Sequence, residues 1–131
     1  MKNDNYKKFI NNTNYTRPVD IKKLENIYKT IKNYLDFSQK NIKDINILEV
    51  GCGPGGITFP LASLGCNVVA FDMLEESVNN LNKKIKEQKI INLKVTVDNG
   101  YDFNFEEKYD IVIASEVFEH VLDPSTLAAN I

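Results

Sequence analysis

An α/β fold built on a parallel sheet is what this sequence predicts, and three observations predict it. Short β-branched runs alternate with helix-period segments from Ile45 onward. A glycine-dense turn, ILEVGCGPGGITFP, joins the first such run to the segment after it, with four glycines falling within six residues. An acid, Asp72, ends the second run twenty-one residues beyond Gly51. Strands alternating with helices imply βαβ units and a parallel sheet covered on both faces.

The elements follow in order. Residues 1–19 are polar and Asn-rich, with isolated Tyr6, Phe9 and Tyr15, and read as an N-terminal arm. Residues 20–131 read as one domain, with a leading helix in 20–44 and βαβ units in 45–131. Pro18 and Asp20 open the leading helix, and Ile21, Leu24, Ile27, Tyr28, Ile31, Tyr34 and Leu35 recur at the three- and four-residue spacing of one apolar face. Ile45–Val50 is a strand, Gly55–Leu64 a short helix closed by Gly65, and Asn67–Asp72 a second strand. Leu74–Lys89 is a helix with Glu75 and Glu76 at its front and Lys83, Lys84, Lys86 and Lys89 at its back, which suits the helix dipole. Leu93–Val97 and Tyr109–Ala114 are the third and fourth strands, and Asp123-Pro124 opens a last helix.

Composition bounds the function. At 131 residues, 43% hydrophobic and 26% charged, the chain suits one globular domain with a real core. Its net charge of −2 divides into +5 over residues 1–45 and −7 over residues 46–131. The basic residues are scattered among Asn and Asp, as on a solvated surface, so nucleic acid is not expected as a partner. No apolar run approaches the roughly 20 residues of a membrane span. Cys52 and Cys66 have neither metal-site nor disulfide-framework spacing and are expected to be reduced thiols. A cytoplasmic protein is the expectation.

Strand, glycine turn and helix in succession put backbone N–H groups at the carboxyl edge of a sheet. Gly51 and Gly53 allow a tight turn and a ligand's close approach, and Gly55 or Gly56 lets the helix start against the strand. Asp72 lies where a carboxylate accepts from both hydroxyls of a ribose. Gly51-x-Gly53-x-x-Gly56 satisfies the dinucleotide fingerprint, which keeps an NAD-type ligand open, whereas no Gly-Lys-Ser/Thr follows to hold a triphosphate. Glu49 separates the ligands by charge. A carboxylate two residues before the loop repels a pyrophosphate but attracts an ammonium and a sulfonium, so the charge sign favours S-adenosylmethionine.

Four ordered segments, ILEVGCGPGG, VVAFDM, VTVDN and YDIVIASEVFEHVLDP, resemble the successive signatures of the class I S-adenosylmethionine-dependent methyltransferases over about residues 45–125. The resemblance implies a Rossmann-like sheet of order 3-2-1-4 with helices on both faces, ending before strands 5–7. It implies that Glu49 and the backbone of Gly51, Cys52 and Gly53 hold the methionine portion, and that Asp72 holds the ribose. Met73 would pack on the adenine, Asp98 would accept from its amino group with the Asn99 N–H nearby, and Ser115 would lend backbone to the donor's amino end.

Glu116, Glu119 and His120 stand at i, i+3 and i+4, one face of a helical turn. Two carboxylates and an imidazole in that spacing are a candidate divalent-metal set. The segment is similar to that of ubiquinone-pathway O-methyltransferases and small-RNA 3′-terminal methyltransferases, in which such a turn can hold a metal beside the substrate hydroxyl. His120, the single histidine, and Glu119 are the candidate catalytic pair, contacting the acceptor or taking its proton.

A small-molecule methyl acceptor with a reacting hydroxyl is expected on the resemblance. The chain stops within the helix expected after strand four, so a fragment is expected, able to self-associate through that strand's edge. Two other readings stay open: a module that binds S-adenosylmethionine without catalysis, and an NAD-type dinucleotide-binding domain.

Overall fold

The structure, a computed structural model, describes residues 3–101 and 108–114. Its elements in chain order are α1 (Asn3–Asn11), α2 (Pro18–Ser38), a 3₁₀ turn (Ile42–Asp44), β1 (Asn46–Val50), α3 (Thr58–Ser63), β2 (Asn67–Asp72), α4 (Glu75–Glu87), β3 (Leu93–Val97) and β4 (Ile111–Ile113). The sheet is parallel throughout, in the order β3-β2-β1-β4. Ile47 pairs with Val68 on one side and Ile111 on the other, which fixes the register of β2, β1 and β4. The α/β class and the strand order are those the sequence predicts.

Each helix forms for a local reason. Pro18 sits in the first turn of α2, where its missing N–H costs nothing, and Leu24, Tyr28 and Ile31 form the buried stripe. Gln39 takes the left-handed conformation (φ 60°) and returns its N–H to the Leu35 carbonyl, ending the helix. In α4, Glu75 and Glu76 open the helix, Lys84 and Lys86 close it, and Val78 and Leu81 turn inward.

Residues 3–11, expected within an arm, form α1 instead, and its Phe9 is 0% exposed among the core residues. Tyr6, Phe9 and Ile10 stand at helical spacing and pack against the main cluster, with Phe9 and Tyr6 both against the ring of Tyr28.

Strand alternation divides the core. Ile47, Val68, Ala70, Leu93 and Val95 face a cluster to which all four helices contribute buried residues. Leu48, Val50 and Phe71 face the other way, against Val69, Tyr101, Tyr109 and Ala114. Right-handed crossovers explain the sidedness, since β1 to β2 and β2 to β3 step in one direction and so place α3 and α4 on one face.

Asp110 joins β4 to the rest at the amino edge. Its Oδ1 accepts from the Tyr34 hydroxyl (2.6 Å) and Lys40 Nζ (2.7 Å), and its Oδ2 from the Asn46 N–H (2.8 Å). Burial alone would raise this carboxyl, but the three donors together hold it down at about 2. Between α2 and β4 lies a groove of about 610 Å³ that includes Ile27, Ile31, Ile111 and Ile113. No described helix is long and apolar enough to cross a membrane.

Candidate cofactor site

The carboxyl ends of β1, β2 and β3 are stitched together by backbone and by one side chain. The Gly51 and Cys52 N–H groups both donate to the Phe71 carbonyl, at 2.9 and 3.0 Å. The Asp98 N–H donates to the Asp72 carbonyl at 3.0 Å. Asp72 then reaches both ways, its Oδ2 accepting from the Gly53 N–H (2.8 Å) and its Oδ1 from the Leu74 N–H (2.9 Å). The predicted ribose carboxylate is therefore also the clamp that fixes the glycine turn. Each of its oxygens has a second lone pair left for a ligand hydroxyl.

The turn needs glycine at two positions for different reasons. Gly53 has φ +50°, and a Cβ there would meet nothing within 4 Å, so this stretch of backbone opens onto free space at the sheet edge. Gly55 has φ +91°, and a Cβ there would meet Leu81 Cδ2 and Phe59 Cε2 at 2.8 Å. The first leaves backbone bare to an incoming ligand, and the second lets α3 and α4 close behind the turn. The left-handed turn at Gly55 also explains why α3 begins at Thr58 and not at Gly55 as expected.

Glu49 lies beneath the turn and is 2% exposed. Thr58 Oγ1 donates to its Oε1 at 2.5 Å. Burial pushes the carboxyl up, the Thr58 hydrogen bond pulls against that, and the charge of Asp72 pushes it further, to about 8. At neutral pH, Glu49 thus holds its proton until a positive charge arrives beside it. Thr58, 0% exposed, is a partner that the sequence reading missed. The available signal was a carboxyl embedded in an apolar strand, which needs a buried donor nearby. Burial raises the Cys52 thiol too, and both cysteines are buried and unpaired.

On the β2–β3 side the edge is apolar, with Met73, Leu74 and Val97 each about half exposed or more (53%, 62% and 49%). Asp98 Oδ1 accepts from the Gly100 N–H and Asn99 Oδ1 from the Tyr101 N–H, both at 2.9 Å, so these two side chains also close the turn after β3. The structure brings Glu49, Gly51, Cys52, Gly53, Asp72, Met73, Asp98 and Asn99 to one edge of the sheet. Ser115, Glu116, Glu119 and His120 lie outside the described residues, and with them the expected metal set, catalytic pair and last helix. Among the described residues, no group of three His, Cys, Asp or Glu side chains could hold a metal ion.

A second omission of the sequence reading is the segment between α1 and α2, which packs onto the turn. Thr13 Oγ1 donates to the Gly56 carbonyl (2.6 Å), and Asn14 Nδ2 to the Pro54 carbonyl (3.2 Å). The Tyr15 ring occupies the space that a side chain at Gly56 would fill.

Comparison with known proteins points to a methyltransferase. A family described as "Methyltransferase domain" matches residues 47–131. The chain is 35% identical over 112 residues to the mitochondrial ubiquinone biosynthesis O-methyltransferase of Homo sapiens, covering 78% of this chain and 28% of that protein. It is 35% identical over 107 residues to the ubiquinone biosynthesis O-methyltransferase of Rickettsia felis, covering 80% and 41%. The chain thus spans less than half the length of these relatives. Among solved structures, a SAM-dependent methyltransferase from Aquifex aeolicus superposes with a TM-score of 0.64 at 21% identity, over 88% of this chain and 65% of that one, a likeness of fold.

Proposed function

The chain belongs to the class I S-adenosylmethionine-dependent methyltransferases, and on that footing we propose that it holds S-adenosylmethionine at the carboxyl edge of its sheet for transfer of the methyl group to a hydroxyl of a small molecule. The observation that carries this reading is the pairing of Asp72, clamped against the bare Gly53 backbone, with the buried Glu49 beneath the same turn. A ribose suits the first. A positive charge suits the second, because it draws Glu49 into its carboxylate form, whereas a pyrophosphate would find no attraction there and would lie against the charge of Asp72.

When bound, the cofactor supplies a methyl carbon activated by the positive sulfonium beside it. The residues do the rest. Asp72 would accept from the ribose hydroxyls, the half-exposed Met73 would pack on the adenine, and Asp98 would accept from its amino group with the Asn99 N–H nearby. Glu49 and the backbone of Gly51, Cys52 and Gly53 would hold the methionine portion, and Ser115 would lend backbone to its amino end. His120, with Glu119, would contact the acceptor hydroxyl and take its proton. Glu116, Glu119 and His120 are also the residues that would hold a divalent ion to make that hydroxyl more acidic. Positioning supplies most of the rate, since the reacting carbon is already activated. Support for an oxygen acceptor comes from the relatives' names.

The same reading places the protein in the cytoplasm, where buried unpaired thiols such as Cys52 and Cys66 persist. It also has copies of the chain associate through β4, one of the two edge strands among the described residues, whose Val112 is 41% exposed. Calorimetric titration with S-adenosylhomocysteine, with NADH as control, tests the ligand. Binding of S-adenosylhomocysteine alone is expected. Binding of NADH alone would replace this reading with the dinucleotide one.

A further inference from the structure

We propose that Thr13 and Tyr15 are positioning residues of the cofactor site, holding the glycine turn from the side opposite Asp72. The inference rests on the cofactor reading above and extends it to the segment joining α1 to α2.

The turn is held at successive points from two directions. Asp72 takes the Gly53 N–H from the sheet side. One residue on, the Pro54 carbonyl accepts from Asn14, and two residues further, the Gly56 carbonyl accepts from Thr13 at 2.6 Å. The Thr13 hydroxyl is itself aimed, because its oxygen accepts the Tyr15 N–H at 3.1 Å while its proton goes to Gly56. With the hydroxyl oriented by Tyr15, the Gly56 carbonyl cannot turn without losing the Thr13 bond. The Tyr15 ring packs where any side chain at position 56 would stand, so glycine there serves the ring and not a positive φ. Phe9, wholly buried, anchors α1 immediately before this strap.

A left-handed glycine turn has many accessible conformations, and only one presents Gly51–Gly53 to a ligand while leaving Gly53 bonded to Asp72. Strap contacts at Pro54 and Gly56 select that conformation in advance, so the ligand does not have to order the turn. The coupling is reciprocal, so a ligand on the turn must also tighten the strap.

The test compares Thr13→Val, which keeps shape and removes the donor, with Thr13→Ser, which restores it, and Tyr15→Leu, which removes the ring. S-adenosylhomocysteine affinity is measured by calorimetry below the melting temperature of every variant, and melting is measured separately. Thr13→Val and Tyr15→Leu are each expected to raise Kd about five- to ten-fold, the effect of losing about one hydrogen bond or a comparable contact. Thr13→Ser is expected to stay within about two-fold of wild type. Lowered melting with unchanged Kd would mean a merely structural role and would overturn the proposal.

Hydrogen exchange on the unaltered protein gives a readout that needs no folded variant. Saturating S-adenosylhomocysteine is expected to slow exchange at Tyr15 and Gly56, and unchanged exchange there would overturn the coupling. Failure of wild type to bind the probe would overturn the cofactor reading and this inference together. Wild-type binding with an indifferent Thr13→Val would overturn this inference alone.

Discussion

Asp72→Ala is expected to weaken S-adenosylhomocysteine binding by at least about 100-fold. Two hydrogen bonds from ribose hydroxyls to a carboxylate contribute roughly 1.5–3 kcal/mol each, and each 1.4 kcal/mol is a factor of ten. The same substitution frees the Gly53 and Leu74 N–H groups, so the turn loses its clamp on the sheet side as well. Asp72→Asn separates the two losses. The amide keeps the side chain's size and one acceptor oxygen, but it turns an N–H₂ toward one of the two backbone donors, and a loss between wild type and Asp72→Ala is expected. Near-wild-type affinity in Asp72→Ala, with a cooperative melt showing the protein folded, would remove the ribose from this position.

The second large effect is on stability, at Glu49. Burial holds its carboxyl at about 8 in the folded protein, against an ordinary value of 4.5. Between those values the folded state binds the proton that the unfolded state has released. Stability conferred by the protonated form is therefore full below about 4.5, falls as pH rises through the window, and is gone above about 8. Wild type is expected to lose about 3–5 kcal/mol between pH 5 and pH 9 from this group. Glu49→Gln cannot ionise and keeps an oxygen for Thr58, so urea unfolding of the variant should be nearly flat over the same range. Parallel pH profiles for the two would show that Glu49 is ionised in the folded state throughout. The ligand side has the opposite sign, because a sulfonium beside Glu49 favours the charged carboxylate, and S-adenosylmethionine binding near pH 7 should release a proton in wild type that Glu49→Gln does not release.

The parts of this molecule legible in its sequence are those written in neighbouring residues. The strand before Gly51, the turn itself and the acid at Asp72 all belong to one βαβ unit, and spacing along the chain sets their placement. The strand order follows from the same unit repeated. What the sequence did not disclose depends on distant contacts. The Tyr34 and Lys40 bonds to Asp110 cross 76 and 70 positions, and the Thr13 bond to Gly56 crosses 43. No local pattern encodes them. α1 falls between these cases: Tyr6, Phe9 and Ile10 have helical spacing, but the Asn and Lys around them gave the segment the composition of an arm. Asp98 shows a position that spacing alone leaves double, since the carboxylate expected to meet an adenine closes its own turn through Gly100.

The central claim, that the nucleoside ligand sits at the carboxyl edge around the glycine turn, is tested most directly by amide chemical-shift mapping. ¹⁵N-labelled protein would be titrated with S-adenosylhomocysteine. The account predicts the largest shifts at Gly51, Gly53, Asp72, Met73 and Asn99, with smaller ones at Thr13 and Tyr15. Shifts concentrated instead at Ile27, Ile31 and Ile111, in the groove between α2 and β4, would contradict it and leave the glycine turn as a corner between a strand and a helix.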